Sequence, residues 1–390
     1  MKEKEPYINF DEYIRQGEPA QRERADAWRV AIGLQAVDGL KTSEYLQQTA
    51  RRNIEGEISI DEARELVKTY YQSKTQREPD DDDKQEADLV SGNITKILST
   101  NTLDFSTKGY ISLHRRIFDG VFKHAGHIRD YDITKKEWVL EYDTVHYLNW
   151  EDLRRALDYD IDQERQFSYK GLSSDEVIAH ITRFVSGLWQ IHAFSEGNTR
   201  TTAVFMIQYL RSLGFSVDNN QFAKQSWYFR NALVRANYKS AVKGIDYSPI
   251  YLERFFRNLL LGEQWDLRNR YLHIHPTAEW SVQPNLVTPT STPTSTPTST
   301  PISTPASLLH IDNQNIIRLV KALGEDQQSV KVMMEKVGLK DRENFLDYSL
   351  NPSINDGYVR LLYPDTPHHP RQKYLLTVKG LALYKELTKG

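Results

Sequence analysis

Cysteine is absent from the 390 residues of this chain, and so are long apolar runs. Without cysteine the protein can have no disulfide, no thiol nucleophile and no thiolate zinc site. This suits a reducing compartment, and the first six residues lack the apolar core of a signal peptide. We therefore expect a cytoplasmic protein. No stretch of about 18 apolar residues occurs, so we expect no membrane span.

A surplus of basic residues is also missing. The 50 Lys and Arg are outnumbered by 53 Asp and Glu, which gives a formal net charge of −3. No positive field over the whole chain therefore favours nucleic acid as a partner. The region 307–390 has 12 basic and 10 acidic residues, which gives DNA binding there only weak support.

A proline repeat divides the chain. From Pro289 to Pro305 a proline returns every four residues, separated by Ser and Thr except at Ile302. Such a segment cannot form a core and favours an extended conformation rich in polyproline II. We therefore predict a linker over 276–306 between a large unit and a small C-terminal one. The length of the chain agrees with two or three domains.

Helical periodicity predominates before the linker. We assign 1–88 to an N-terminal helical region and 89–275 to a core domain. Within the core, residues 128–133 alternate in polarity, a turn-like stretch follows, and 138–140 have an extended pattern, which together predict a β-hairpin. A lone hairpin is not stable, so it must lie against the helices. Its edge could pair with a partner peptide, or the hairpin could be purely structural.

After the linker, residues 307–390 have the pattern of a small α+β domain. We place two helices, two paired strands and a closing helix at 313–323, 328–337, 358–363, 373–377 and 381–387. This order suggests a winged helix. The predicted fold class is therefore mainly α, with a helical core, one hairpin and a small α+β domain.

The stretch with the most chemistry is 191–202, a short polar turn between two apolar helical patterns. A helix N-terminus attracts anions, because its first N–H groups lack partners and its dipole favours negative charge. Arg200 adds a forked donor for phosphate, and Glu196 adds a carboxylate suited to Mg²⁺. His192 can take a proton from an attacking hydroxyl. Together these residues favour phosphoryl or nucleotidyl transfer, although such a loop without further context is more often structural.

The residues His192-Ala-Phe-Ser-Glu-Gly-Asn-Thr-Arg200 resemble the signature loop of the Fic (Fido) family, His-Pro-Phe-x-Asp/Glu-Gly-Asn-Gly-Arg. The segment 122–135 resembles the approach to the family's flap hairpin, and Asn53-Ile-Glu-Gly56 resembles its inhibitory helix. Residues 307–390 resemble a winged-helix extension that some members carry. The resemblance implies a helical Fic core with one flap. It also implies transfer of AMP from ATP, with Mg²⁺, to a Ser, Thr or Tyr hydroxyl of a target protein.

The resemblance further implies a role for each matching residue. His192 corresponds to the general base, Glu196 to the Mg²⁺ ligand, and Glu55 to the inhibitory glutamate that blocks the γ-phosphate position. The other implied nucleotide contacts are Lys135, Lys136, Glu137 and Trp138 on the flap, Gly197, Asn198, Thr199, Arg200, Thr201 and Thr202 on the loop and helix start, and, more loosely, Tyr228 and Asn237. The target protein would dock on the flap at 128–140.

Two departures from the family pattern bear on inhibition. Ala203 stands where the family usually has a second arginine, which contacts both the γ-phosphate and the inhibitory glutamate. Arg51 stands where the inhibitory motif usually begins with Ser or Thr. We therefore expect Glu55 to be held weakly, by Arg200 alone. The alternative is a solvated glutamate at a helix end, where the dipole disfavours it.

The sequence thus predicts an enzyme, a protein adenylyltransferase. Two alternatives remain open. The same loop could remove AMP or transfer another nucleotidyl or phosphoryl group, or the chain could be a nucleotide-sensing regulator that binds DNA through 307–390. The predicted partners are ATP and a target protein, and a homo-oligomer is left open.

Overall fold

A computed structural model of the protein describes residues 8–100, 102–215, 217, 220–275, 311, 313–364 and 366–388. The predicted linker at 276–306 lies outside these residues. Within them, no helix is both long enough and apolar enough to cross a membrane. The fold is mainly α, as the sequence predicts.

The helices of the larger unit are α1 (Phe10–Gln16), α2 (Pro19–Gly33), α3 (Glu44–Glu55), α4 (Ile60–Ser73), α5 (Asp81–Leu98), α6 (Thr107–Ile117), α7 (Leu153–Gln166), α8 (Ser174–Ile191), α9 (Asn198–Ser212), α10 (Asn220–Lys224), α11 (Ser226–Asn237) and α12 (Ile250–Leu261). They pack around a main apolar core and a second, smaller one under α1, α3 and α4. Between α2 and α3 the chain makes a 3₁₀ turn, Leu34–Asp38, which Gly39 ends with a φ of 75°. A second glycine, Gly56, ends α3 with a φ of 84°.

Helices α8 and α9 form the centre of the larger unit. Helix α8 begins with a capping box formed by Ser173 and Glu176, and α9 is buried from Asn198 to Leu210. Helices α6, α11 and α12 pack around the two. Each large side chain buried here, such as Phe205, contributes about 1.5–3 kcal/mol. The loop that joins α8 to α9 is therefore held in a fixed place.

The flap hairpin is present, but its strands differ from the predicted ones. Strand β1 (Lys136–Glu137) pairs antiparallel with β2 (Asp143–Thr144), and the predicted arm 128–133 is not a strand. The segment Trp138–Leu140, predicted as extended, is a 3₁₀ turn in which Val139 and Leu140 are fully buried. A short apolar run has no period of its own, and burial against the helices decides its conformation here.

The C-terminal unit has its own apolar core, which includes Ile316, Phe345 and Leu383. Its elements are α13 (Gln314–Leu323), α14 (Val330–Val337), α15 (Arg342–Phe345), α16 (Asn351–Asn355), β3 (Val359–Leu361), β4 (Tyr374–Leu376) and α17 (Val378–Thr388). A single π turn joins α15 to α16, so 342–355 is one helical segment. The sequence did not predict this segment, because Pro352 interrupts its helical pattern.

The C-terminal unit touches the outer ends of α8 and α9. The hydroxyl of Ser174 donates a hydrogen bond of 2.5 Å to Glu386, and the amide of Lys379 donates one of 3.3 Å to the carbonyl of Leu213. Gly214 and Gly357, with φ values of 90° and 75°, meet backbone to backbone. A Cβ atom on either would lie 2.1–2.3 Å from the carbonyl oxygen of the other, so only glycine fits at both positions.

Candidate active site

His192 ends α8 in a left-handed backbone conformation, with φ 50° and ψ 56°. A residue other than glycine seldom adopts this conformation, and it persists only where the surroundings hold it. The carbonyl of His192 accepts a hydrogen bond of 2.8 Å from Nε of Arg129. Its ring stacks on Tyr147, with 3.9 Å between centroids, and meets the edge of Trp189. Backbone and ring are therefore both fixed.

The ring of His192 is arranged to act as a base. Its Nδ1 lies 3.3 Å from the carbonyl oxygen of Trp189, which can only accept, so we assign the proton to Nδ1. Nε2 then carries the lone pair, and it is buried without a hydrogen-bond partner among the described residues. Burial, together with the positive charges of Lys135, Arg129 and Arg230, holds the pKa of His192 well below its ordinary value. The imidazole is therefore neutral near pH 7.

The turn after His192 is closed by Asn198. Its side chain accepts a hydrogen bond of 2.9 Å from the amide of Phe194 and donates one of 2.7 Å to the carbonyl of the same residue. Gly197 has a φ of 72°, and a Cβ atom there would lie 2.1 Å from the ring of Phe118. Gly197 and Asn198, both predicted phosphate contacts, therefore shape the turn. They lead the chain into α9, whose first N–H groups have no partner within the helix.

Glu196 presents an exposed carboxylate from a fixed backbone. Its carbonyl accepts a hydrogen bond of 3.1 Å from Nε2 of His114, and Nδ1 of His114 accepts one of 2.8 Å from the amide of Gly126. Burial lowers the pKa of His114 to about 4, so this histidine is neutral. An exposed carboxylate held in this way fits a hard cation such as Mg²⁺. Sequence reasoning missed His114, whose position on an apolar helical face gives no sign of this contact.

Arg200 is only 1% exposed, and the N-terminal region surrounds its guanidinium. Nε lies 2.8 Å from Asp38 Oδ2, Nη2 donates to Glu86 at 2.6 Å, and Nη1 donates to Gln35 at 3.0 Å. The flat face of the group lies 4.9 Å from the centroid of the Phe118 ring. The predicted phosphate donor is thus neutralised by two carboxylates that the sequence did not indicate.

Glu55 lies elsewhere, so the expected contact between Glu55 and Arg200 is not present among the described residues. Glu55 is exposed and accepts a hydrogen bond from the hydroxyl of Tyr13. Burial and this carboxylate together raise the pKa of Tyr13 to about 12. Glu55 lies away from Arg200 because of the packing of α3, whose end is held by hydrogen bonds from Arg24 to the carbonyl of Ile54. Arg24, which contacts the end of α3, is separated from Asp38, which contacts Arg200, by most of the length of α2, about 15 Å or more at the usual helical rise. Glu55 is therefore far from Arg200.

Several other predicted nucleotide contacts use their side chains inside the fold. Their hydrogen bonds join Thr199 to Trp189, Thr201 to Gly197, Thr202 to Tyr110, Tyr228 to Tyr251, and Asn237 to Ser186 and Leu233. All five side chains are buried. Of the three threonines, only Thr199 lies before the first backbone hydrogen bond of α9, which runs from the amide of Thr201 to the carbonyl of Gly197 at 2.9 Å. The amide of Thr199 is therefore the group suited to meet phosphate.

The flap contributes one buried charge and two lysines. Glu137 is fully buried and pairs with Arg230 of α11 at 2.6 Å, and the hydroxyl of Tyr147 donates to it at 3.4 Å. Lys136 is exposed, and Lys135 acts on His192 through its charge. The fourth predicted flap residue, Trp138, meets the ring of His273 edge-on. Sequence reasoning missed the roles of Tyr147 and Arg230, because both depend on contacts between distant segments.

Two models of protein families match parts of the chain. Residues 104–210 match the model of the Fic/DOC family. Residues 314–377 match the model described as "Filamentation induced by cAMP protein Fic-like, C-terminal domain". The first match contains the loop, the flap and nearly all of both flanking helices.

Two individual proteins are similar to parts of the chain. "Protein adenylyltransferase VbhT" of Bartonella schoenbuchensis is 24% identical over 181 residues, which are 43% of this chain and 37% of the relative. The match thus spans little more than a third of that protein. A crystal structure of a Fic family protein from Desulfovibrio desulfuricans G20 covers 94% of this chain and 90% of its own, with 14% identity and a TM-score of 0.42, a likeness too weak to argue from. On these matches and the loop between α8 and α9, residues 104–210 are similar to the Fic/DOC family and residues 314–377 to the Fic-like C-terminal domain.

Proposed function

We propose that the protein transfers AMP from ATP to a Ser, Thr or Tyr hydroxyl of a target protein. The observation that carries this proposal is the state of His192. It is a neutral, oriented imidazole whose Nε2 has no partner among the described residues, and it stands at the mouth of a helix N-terminus. The family and the name of the similar relative, a protein adenylyltransferase, support the same chemistry.

The loop residues suit each part of the transfer. The attacking hydroxyl gives its proton to Nε2 of His192 while its oxygen bonds to the α-phosphorus. The bond from this phosphorus to the oxygen that bridges to the β-phosphate breaks, and pyrophosphate leaves. The first amides of α9 and the helix dipole stabilise negative charge on the phosphate oxygens. Glu196 would hold Mg²⁺, which neutralises phosphate charge when bound.

The flap is the proposed docking place for the target. Its strands β1 and β2 are two residues long each and form a pair of their own. The outer edges of such a pair offer free N–H and C=O groups to an extended segment. Lys136 is exposed on β1. Tyr147 links the flap to the base, because it contacts Glu137 of β1 and stacks on His192. A hydroxyl of a segment bound there would reach Nε2 once this buried atom is uncovered.

The proposal includes a restraint on Arg200. Because Asp38 and Glu86 neutralise its guanidinium, a phosphate group must displace at least one carboxylate before it can bind this arginine. We therefore expect slow transfer by the wild-type chain. The sequence suggested Glu55 as the inhibitory acid. We assign this inhibition to Asp38 and Glu86 instead, and we call these two carboxylates the acidic brake.

Labelling with radioactive ATP tests the reaction. With Mg²⁺ present, label from the α-phosphate should appear on protein, this chain included, and label from the γ-phosphate should not. His192→Ala should abolish the transfer, and because it removes a buried, stacked ring, thermal unfolding checks that the variant is folded at the assay temperature. Transfer of γ-label would show phosphorylation, and loss of AMP from a premodified target would show the reverse reaction. No α-label under any condition, even with the brake residue Asp38 replaced, would contradict the proposal.

A further inference from the structure

We infer that Arg129 is a positioning residue that fixes the base His192 relative to the flap. Arg129 lies just before the flap, and the resemblance assigned it no role. Its side chain is completely buried. The inference rests on the proposed function, since it concerns the same base, but the contacts themselves are independent of that proposal.

Arg129 directs its hydrogen bonds at backbone carbonyls. Nε donates to His192 at 2.8 Å, Nη1 to Tyr131 at 2.6 Å, and Nη2 to Leu148 at 2.5 Å. Nη2 also lies 3.5 Å from the carbonyl of Ile191. In addition, the backbone amide of Arg129 donates to the carbonyl of Ala193 at 3.0 Å. One residue thus holds three consecutive carbonyls of the catalytic loop.

The acceptors belong to three separate segments. Tyr131 precedes the flap strands, Leu148 follows them, and His192 carries the base. A planar guanidinium with five donors in a fixed fork can join three such segments, whereas the ammonium of a lysine is a compact charge with different geometry. The flap and the base are therefore tied to one rigid group. A target hydroxyl held on the flap is thereby kept at a set distance from Nε2.

Stability alone does not explain why a buried arginine occupies position 129. A buried charge costs free energy unless it is well paired. The carboxylate paired with Arg129 is Asp132, which lies 3.6 Å away and is well exposed. The left-handed backbone of His192 also carries strain, and the bond from Arg129 to its carbonyl holds that conformation. We therefore attribute the buried charge of Arg129 to the geometry of the loop and not to stability.

Arg129→Lys tests the inference, because it keeps the charge and removes the fork. Arg235→Lys is the matched control. Arg235 is also buried, at 7% exposure, and its Nε and Nη1 have no hydrogen-bond partner in the described part of the chain. Transfer of α-label gives kcat and KM for ATP, and hydrogen exchange follows the segments 130–148 and 192–198. Thermal unfolding reports whether each variant is folded at the assay temperature.

For Arg129→Lys we expect kcat to fall about 100-fold, as for a small misplacement of a reacting group, with KM for ATP almost unchanged. Exchange should quicken in both segments together, and Arg235→Lys should show neither effect. Equal kcat values for the two variants, or unchanged exchange in either segment, would overturn the inference. Arg129→Gln, which keeps one donor group, is the second variant if the lysine variant does not fold. Unfolding of both would also overturn it, since Arg129 would then serve the fold as a whole.

The exchange measurement separates this inference from the proposed function. If the wild-type chain transfers no AMP, the proposed function fails, and kcat cannot be compared. The joint loosening of the two segments in Arg129→Lys can still be measured, with Arg235→Lys as its control. If transfer occurs and the segments do not loosen, the inference about Arg129 fails alone.

Discussion

Replacing Asp38 by alanine should free Arg200 for phosphate. In the structure Arg200 donates hydrogen bonds of 2.6 Å to Glu86 and 3.0 Å to Gln35, and its Nε forms an ion pair with Asp38 at 2.8 Å. A phosphate that binds the guanidinium has to break part of this arrangement first. Asp38→Ala removes one contact in advance, so ATP binding should gain about as much free energy as that contact contributes.

The size of the gain follows from the kind of contact. The contact is an ion pair in which Nε of Arg200 lacks hydrogen-bond geometry. An exposed ion pair contributes about 0.2–1 kcal/mol, and the burial of Arg200 beside a partly exposed Asp38 raises this contribution to about 1–2 kcal/mol. Since about 1.4 kcal/mol is a factor of ten, we expect the Kd for ATP to fall about 10-fold, and about 30-fold at most. Without nucleotide, the free energy of unfolding should fall by about 1–3 kcal/mol, because Arg200 loses a partner.

Calorimetric titration with ATP and Mg²⁺ measures the affinity, and His192→Ala in all samples prevents turnover. Glu55→Ala is the control, because its partner is Tyr13 and its carboxylate is far from Arg200. It should leave the Kd for ATP unchanged. Wild-type affinity in the Asp38 variant, or tighter binding in the Glu55 variant, would refute the assignment of the brake to Asp38.

Three further predictions concern the loop. Burial and nearby positive charges lower the pKa of His192 below its ordinary 6.5. Labelling should therefore continue as the pH falls through 6.5 and stop only when the ring becomes protonated. An acidic limb at or above pH 6.5 in the pH–rate profile would contradict this. Glu196→Gln should raise the Mg²⁺ concentration for half-maximal labelling at least about tenfold, and an unchanged magnesium titration would exclude Glu196 as the ligand. Gly197→Ala should lower the free energy of unfolding by about 2 kcal/mol or more, through its positive φ and the contact with Phe118; denaturant unfolding measures it, and a stability equal to the wild type would show that the loop adapts.

Features that depend on one short stretch of the chain could be predicted from the sequence. The capping box of Ser173 and Glu176 marks the start of α8, and the spacing from His192 to Arg200 indicates the loop. Each of these depends on residues close together in the chain, where helix and turn chemistry is local. They were enough to predict the helical core and the residues of the loop.

The partners of Arg200 could not be predicted in the same way. Asp38 followed by Gly39 and Glu55 followed by Gly56 are the same local pattern, an acid at a helical end before a left-handed glycine. Both are compatible with an inhibitory acid, and only the packing of α2 against α3 decides which one faces Arg200. Glu86 lies in the second turn of α5, and no local sequence pattern indicates its contact with Arg200. The contacts of Arg129 are hidden for a related reason, since all its side-chain acceptors are backbone atoms and carry no sequence signal.

The meeting of Gly214 and Gly357 has an evolutionary consequence. Most interfaces between domains are made by side chains, so they can drift through pairs of compensating substitutions. Here each backbone fills the space that a Cβ atom of the other would need, so no larger residue on one side can be balanced by a smaller one on the other. In related chains that keep this contact, both positions should be glycine. The pair therefore provides a sequence marker for the way the C-terminal unit is attached.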